Sequence, residues 1–320
     1  NLMKLILLLG KSRRALCCCL LIGGILGIDL PSVQAQQDAQ YTMYMFNGLA
    51  INPAYAGSRE VLSFTGLLRA QWTGIEGSPQ TQTLAIHSPI ANNRMGAGLN
   101  VVNDQLGVSK IFSVTGVYAY KINFNFATLS FGMQGGITQY RQNLAGLTTN
   151  FQGILDPAFE QDINQIFPIV GAGFLLSNPR YYIGLSSPQL IKNRLREVDI
   201  SQAEQSRHFF LSGGYLFDLN PTMKLKPSFL VKYVENAPVS FDLNTNLWFY
   251  ERFGVGASYR WNDSFDLLAE INVNKNFTFG YAYDFTISDL QQAAGSTHEV
   301  MVRLEFGVGD KTRILTPRYF

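Results

Sequence analysis

The sequence predicts an all-β fold: a transmembrane, antiparallel, up-and-down β-barrel of about fourteen strands, with an N-terminal plug or periplasmic segment. Three observations carry this. Charged residues make up 15% of the 320-residue chain, against about 25% in ordinary globular domains. After the N-terminal leader no segment approaches the ~20 apolar residues of a membrane-spanning helix, so the apolarity serves something else. From Val61 onward, apolar residues alternate with small polar ones, a period of two that sends them to opposite faces of a strand.

The first element is a leader, residues 1–35. Lys11, Arg13 and Arg14 precede the apolar run Ala15 to Ile28, which closes on Pro31-Ser32-Val33-Gln34-Ala35. A basic region, an apolar core and small residues at Val33 and Ala35 are the parts of a secretory signal peptide, with cleavage after Ala35. A retained anchor is disfavoured because the uninterrupted apolar stretch is shorter than a bilayer needs. A lipid-attached cysteine is disfavoured because Arg14-Ala15-Leu16 stands directly before Cys17, Cys18 and Cys19. All three cysteines fall inside the leader, so the mature chain carries neither a disulfide nor a cysteine-ligated metal. Losing four basic residues and one acid takes the formal charge from +2 to −1, which gives no case for nucleic-acid binding.

The second element, 36–60, is too irregular for a strand. Tyr41, Tyr44, Met45, Phe46, Leu49, Ile51 and Tyr55 supply more apolar surface than a solvated tail carries. Asn52-Pro53 reads as a fixed corner, since proline sets its own φ and pushes the residue before it toward extended geometry. Gly57 is free to take positive φ at the exit. We expect a plug or docking element, internal or periplasmic, with Tyr41, Tyr44, Phe46, Asn52, Pro53, Tyr55 and Gly57 as its working residues.

The barrel follows over 61–309. Candidate strands are 61–72, 80–90, 94–103, 110–122, 126–138, 167–177, 180–188, 207–218, 223–234, 238–250, 253–261, 264–274, 276–287 and 298–308. In the clearest, Leu129, Phe131, Met133, Gly135 and Ile137 alternate with Thr128, Ser130, Gly132, Gln134, Gly136 and Thr138. Phe277 to Phe285 and Val239 to Phe249 repeat the pattern. A soluble sandwich alternates too, but its water-facing side carries Lys and Glu, whereas the polar phase here is mostly Gly, Ser, Thr, Asn and Gln, suited to a crowded lumen. Pro227 is a mild objection to its strand, because it cannot donate to the ladder. If both termini face the periplasm, the long connections 139–166, 188–206 and 288–297 all lie outside the cell and the tight turns inside, as outer-membrane barrels require. Trp72, Tyr118, Tyr120, Tyr259 and Trp261 sit near strand ends, where aromatic girdles belong. Residues 310–320 are left as a tail.

Catalytic chemistry finds little support. His87, His208 and His298 lack a second ligand at metal spacing, and His87-Ser88 point to opposite faces of one strand. Gly171-Ala172-Gly173 and Gly254-Val255-Gly256 lie within strands, not at a phosphate-binding turn. We expect no enzyme and no cofactor. The inward charged and polar set, Arg69, Gln71, Lys121, Lys224, Lys232, Arg260, Glu270, Arg303 and Glu305, reads as a satisfied lumen network that could also tune a solute path.

The segment Asp38 to Ser58, above all Asn52-Pro53-Ala54-Tyr55-Ala56-Gly57, resembles the PorP/SprF family of the type IX secretion system of Bacteroidota. Leu67-Leu68-Arg69-Ala70-Gln71-Trp72, the turn Gly77-Ser78-Pro79 and His298-Glu299 extend the resemblance over nearly the whole mature chain. The tail Asp310 to Phe320 departs from the usual terminal aromatic strand. The resemblance implies a non-enzymatic component of the outer membrane, in contact with its lipids, that supports export or surface attachment of cargo proteins bearing a C-terminal secretion signal. It implies partners in periplasmic lipoproteins and a peptidoglycan-binding protein, and leaves open the cargo and any part in gliding motility. The rival reading is a passive porin or small-solute channel.

Overall fold

A computed structural model describes residues 40–144, 162–193, 206–235, 237–288 and 295–307. The expected signal peptide, the tail and the interiors of the long connections fall outside the described residues. The strands are β1 (Leu62–Ala70), β2 (Gln80–Ile90), β3 (Met95–Leu106), β4 (Ser109–Asn123), β5 (Thr128–Gln142), β6 (Ile163–Ser177), β7 (Tyr181–Gln189), β8 (His208–Tyr215), β9 (Phe217–Asn220), β10 (Met223–Val234), β11 (Ser240–Phe249), β12 (Phe253–Arg260), β13 (Ser264–Asn272), β14 (Phe277–Thr286) and β15 (Thr297–Phe306). Sequential neighbours pair antiparallel, and β1 pairs with both β2 and β15, so the sheet closes on itself.

Fifteen segments make fourteen staves. β8 and β9 both pair with β10, in one continuous register from Ser228↔Gly214 to Leu225↔Phe217, and the break falls at Leu216. Pro227 stands beside that break, opposite Tyr215, with Lys226 opposite Leu216. Its missing N–H removes a ladder bond, which is where the neighbouring stave is free to separate. The amide of Leu216 continues the β7 ladder, bonding to the carbonyl of Arg180 at 2.7 Å. Strand β5 runs on to Gln142 and β6 starts at Ile163, so the barrel wall reaches further into the 139–166 connection than periodicity alone suggested.

The alternation is inside out relative to a soluble protein. Leu68, Met133, Ile137, Phe174, Leu185, Leu243 and Leu267 are exposed, while Ser63, Thr65, Thr81, Thr83, Ser130, Thr138, Asn244 and Asn246 are buried. An apolar exterior around a polar interior is stable only in lipid, where a closed barrel also satisfies every backbone group. At one end the strands are joined by the short connections 91–94, 124–127, 178–180, 221–222, 250–252 and 273–276; we call this the turn end. At the other, 71–79, 143–162, 190–207 and 287–296 are longer, beside the short 107–108, 235–239 and 261–263; this is the loop end.

The lumen is not simply polar. Two buried apolar clusters lie inside it, one joining Met43, Tyr44 and Phe46 to Leu67, Leu216, Leu230, Trp248, Leu268 and Met301, the other joining Leu49, Ala54 and Tyr55 to Ala85, Val117, Leu175 and Tyr182. Both are centred on the segment that precedes β1.

Candidate functional site: a plugged and pinned lumen

Residues 41–57 thread the barrel from the loop end to the turn end as three successive 3-10 turns, Tyr44–Phe46, Gly48–Ala50 and Pro53–Tyr55. Short turns suit a run of this kind: it has no repeating apolar face for a longer helix, and Gly48 and Pro53 interrupt it. Tyr41 and Gly48 are half-buried, whereas Tyr44, Phe46, Asn52, Pro53, Tyr55 and Gly57 are all buried. Of the internal and periplasmic alternatives for this segment, its position is internal.

The loop-end anchor is a buried charge cluster. Glu299 accepts the amides of Thr42 at 2.9 Å and Met43 at 2.8 Å. Arg69 donates to Glu299 and to the Thr42 hydroxyl, both at 2.8 Å, and pairs with Asp284 at 2.8 Å. That hydroxyl in turn donates to Asp284 at 2.7 Å. Glu299 is wholly buried and Arg69 nearly so, so each charge is held by partners instead of water. Tyr41 adds a contact to the Thr83 hydroxyl at 3.1 Å.

Midway, Arg303 donates to the carbonyl of Phe46 at 2.6 Å and faces Glu270 at 3.8 Å. Lys226 lies 5.5 Å from the Phe46 ring and 6.0 Å from Tyr182, cation–π placements for a buried ammonium. Ser186 donates to the carbonyl of Ile51 at 2.7 Å. The corner works as expected: Asn52 is extended at φ −144°, its Oδ1 caps the next turn by accepting from the Ala54 amide at 2.9 Å, and its Nδ2 reaches the Phe174 carbonyl at 2.9 Å. The wall makes room with glycine, since a Cβ on Gly132 would stand 2.1 Å from the Ala54 nitrogen.

At the turn end Gly57 has φ +69°. Its amide donates to His87 Nδ1 at 3.1 Å, its carbonyl accepts from Lys121, and Arg59 pairs with Glu305. Burial pushes the phenols of Tyr44 and Tyr55 well above the ordinary tyrosine range, and the neighbouring Tyr182 pushes both the same way. Both therefore stay neutral.

Of the lumen residues read from sequence, Arg69, Lys121, Arg303 and Glu305 hold the segment or its anchors directly, and Glu270 supports Arg303. Arg260, on β12 and two strands from the Asp284 of β14, instead pairs with Asp242 and Asp263, both at 3.2 Å. Gln71 lies beyond the end of β1, half-buried at the loop-end mouth, with its amide bonded to the Pro79 carbonyl; the strand is shorter than its stripe. Lys224 and Lys232 are half-buried near opposite ends, and Lys224 pairs with Glu251 at 2.7 Å. Sequence reasoning missed Thr42, His87, Lys226, Asp284 and Glu299. The His298-Glu299 pair was a usable signal: His298 faces outward against Tyr281 at 2.7 Å, which leaves Glu299 to point in.

The family model for the type IX secretion system membrane protein PorP/SprF matches residues 33–304. The chain belongs to the PorP/SprF family. The match includes the segment in the lumen and the last strand as far as residue 304, which takes in Glu299 and Arg303. PorP/SprF membership and the inside-out barrel make the chain an outer-membrane protein. No curated protein matches it. Among solved structures it is similar to the Acinetobacter baumannii outer membrane protein Omp33, at 10% identity and TM-score 0.46, over 77% of this chain and 98% of that one. A Pseudomonas aeruginosa FadL homologue matches at 13% identity and TM-score 0.43, over 82% and 92%. The CymD monoaromatic hydrocarbon channel matches at 9% identity and TM-score 0.47, over 81% and 91%.

Proposed function

We propose that this PorP/SprF protein is a non-enzymatic outer-membrane partner in type IX secretion, supporting export or surface attachment of cargo proteins that carry a C-terminal secretion signal. The observation that carries the reading is the lumen segment, tied at both ends and in the middle by buried charged and polar groups. A passive pore gains nothing from filling its own channel with aromatic side chains and ion pairs. A docking scaffold gains a rigid body on which the long loop-end connections can carry binding residues. In this reading cargo meets the loop end, outside the cell, and the periplasmic lipoproteins and peptidoglycan-binding protein meet the turn end.

The test is a deletion strain complemented with wild type or with a triple variant, Tyr44→Ser, Phe46→Ser and Tyr55→Ser. Deletion should abolish surface display of at least one signal-bearing cargo. The triple variant should still give a heat-modifiable barrel but reduce display or recovery of periplasmic partners. Unchanged display of every such cargo in the deletion strain would overturn the secretion role. Purified protein in planar bilayers addresses the porin alternative: a closed or flickering barrel agrees with the proposal, and a steady large conductance favours the channel.

A further inference from the structure

A cavity of about 130 Å³ lies between the lumen segment and the wall formed by β3 to β8, in the loop-end half of the barrel. Apart from Tyr41 and Ile51, its lining takes no part in the anchoring just described. Three carboxamide side chains line it: Gln134 from β5, whose Nε2 donates to the Pro188 carbonyl at 2.8 Å, and Asn100 from β3 and Gln189 from the end of β7, about 8% and 5% exposed. Asn100 Oδ1 and Gln189 Nε2 are buried without a hydrogen-bond partner. Native barrels seldom leave buried amides unused, because each unmet group costs free energy. Both amides end in broad sp²-type torsions, so a turn of the amide plane presents the unmet atom to an occupant at little cost.

The remaining lining narrows the chemistry. Among the described residues, Asp104, which accepts from the Thr81 hydroxyl at 2.6 Å, is the one carboxylate lining the cavity, and no Lys, Arg or His lines it. An anion therefore has nothing to meet. The aromatic rings of Tyr41 and Phe210 supply apolar walls. We propose that this cavity binds a neutral polyhydroxy ligand of pyranose type, its hydroxyls on Asn100, Gln189 and Asp104 and its C–H face on Tyr41 or Phe210. A hydroxyl both donates and accepts, so it satisfies either orientation of each amide. A mixed apolar and polar cavity with a few convergent hydrogen-bonding groups is the usual form of a small-molecule site.

The experiment is calorimetric titration of the refolded full-length barrel in detergent. The probes are glucose, galactose, mannose and N-acetylglucosamine, the disaccharides maltose and chitobiose, and a neutral tripeptide amide. At least one sugar should bind with a dissociation constant in the millimolar range or tighter. Asn100→Ala and Gln189→Ala, on separate strands, should each weaken it by about tenfold, as expected for one lost hydrogen bond to a buried group. Heat-modifiability checks that each variant is folded, and either variant alone suffices. A monosaccharide bound as tightly as its disaccharide identifies a free sugar; tighter disaccharide binding identifies the end of a glycan. No sugar binding, binding of the tripeptide alone, or sugar binding indifferent to both variants would overturn the proposal and leave the cavity to water.

Discussion

Replacing Glu299 by alanine removes the carboxylate that holds the loop end of the lumen segment. Three bonds go at once: the amides of Thr42 and Met43 lose their acceptor and Arg69 loses one of its two acidic partners. Hydrogen bonds to charged groups contribute about 1.5–3 kcal/mol each. Breaking a buried pair by deleting one partner costs about 3–5 kcal/mol, and the three bonds share one group, so the loss does not sum beyond that range. Asp284 remains on Arg69, which favours the lower end. A loss of ~3 kcal/mol raises the open population of residues 41–46 by about a hundredfold, at 1.4 kcal/mol per decade. Hydrogen exchange read by mass spectrometry on the detergent-solubilised protein measures this directly, as faster exchange confined to that segment while the strands stay protected. Glu299→Gln keeps the shape and one acceptor oxygen and should show a smaller effect. Unchanged exchange over 41–46 in a heat-modifiable alanine variant would refute the anchoring argument.

Gly132→Val should displace the Pro53–Tyr55 turn, because its Cβ would fall 2.1 Å from the Ala54 nitrogen, whereas Gly135→Ala, with its nearest contact at 4.0 Å, should behave as wild type; protection of residues 52–56 from exchange separates the two. Met133→Lys puts a charge on the lipid face in the middle of β5, at a side chain 62% exposed, and should cost about 2–4 kcal/mol of folding stability in bilayers, read from urea titrations. Tyr44 and Tyr55 keep their protons in the folded protein at pH values where the unfolded chain, with ordinary phenols, has lost them. The folded state then binds more protons, so stability should be unaffected below about pH 10 and fall as pH rises beyond it. Tyrosinate absorbance should show these two phenols titrating only as the barrel unfolds; early titration in a folded barrel would contradict their burial.

The barrel was legible because its signal is one-dimensional. In β5, Phe131, Met133 and Ile137 face lipid and Ser130 and Thr138 face the lumen, as period two requires. The broken stave at Leu216 was not legible, since alternation passes through it undisturbed and only Pro227 hinted at the lost bond. For the lumen segment, composition indicated burial and Asn52-Pro53 indicated the corner. Which acid received Arg69 depended on β15 lying beside β1, a pairing of residues more than two hundred positions apart. Glu299 is one step from His298 in sequence but on the other face of its strand, and Asp284 sits in a stripe whose other inward members, Thr278, Gly280 and Ala282, carry no charge. Inward acids of this kind are identified by their neighbours across the wall, which register and closure decide.

Arg69 and Glu299 are direct partners across the junction of the first strand with the last. The socket for Thr42 and Met43 therefore does not exist until the two ends of the sheet have met. The loop-end contacts of the segment are completed only when the rest of the barrel has formed. A barrel closed one step out of register would send Glu299 outward into lipid and leave Arg69 facing the lumen without it. The seam thus carries its own interlock: correct closure and a seated segment are one event, and a misregistered barrel advertises itself by a loose N-terminus.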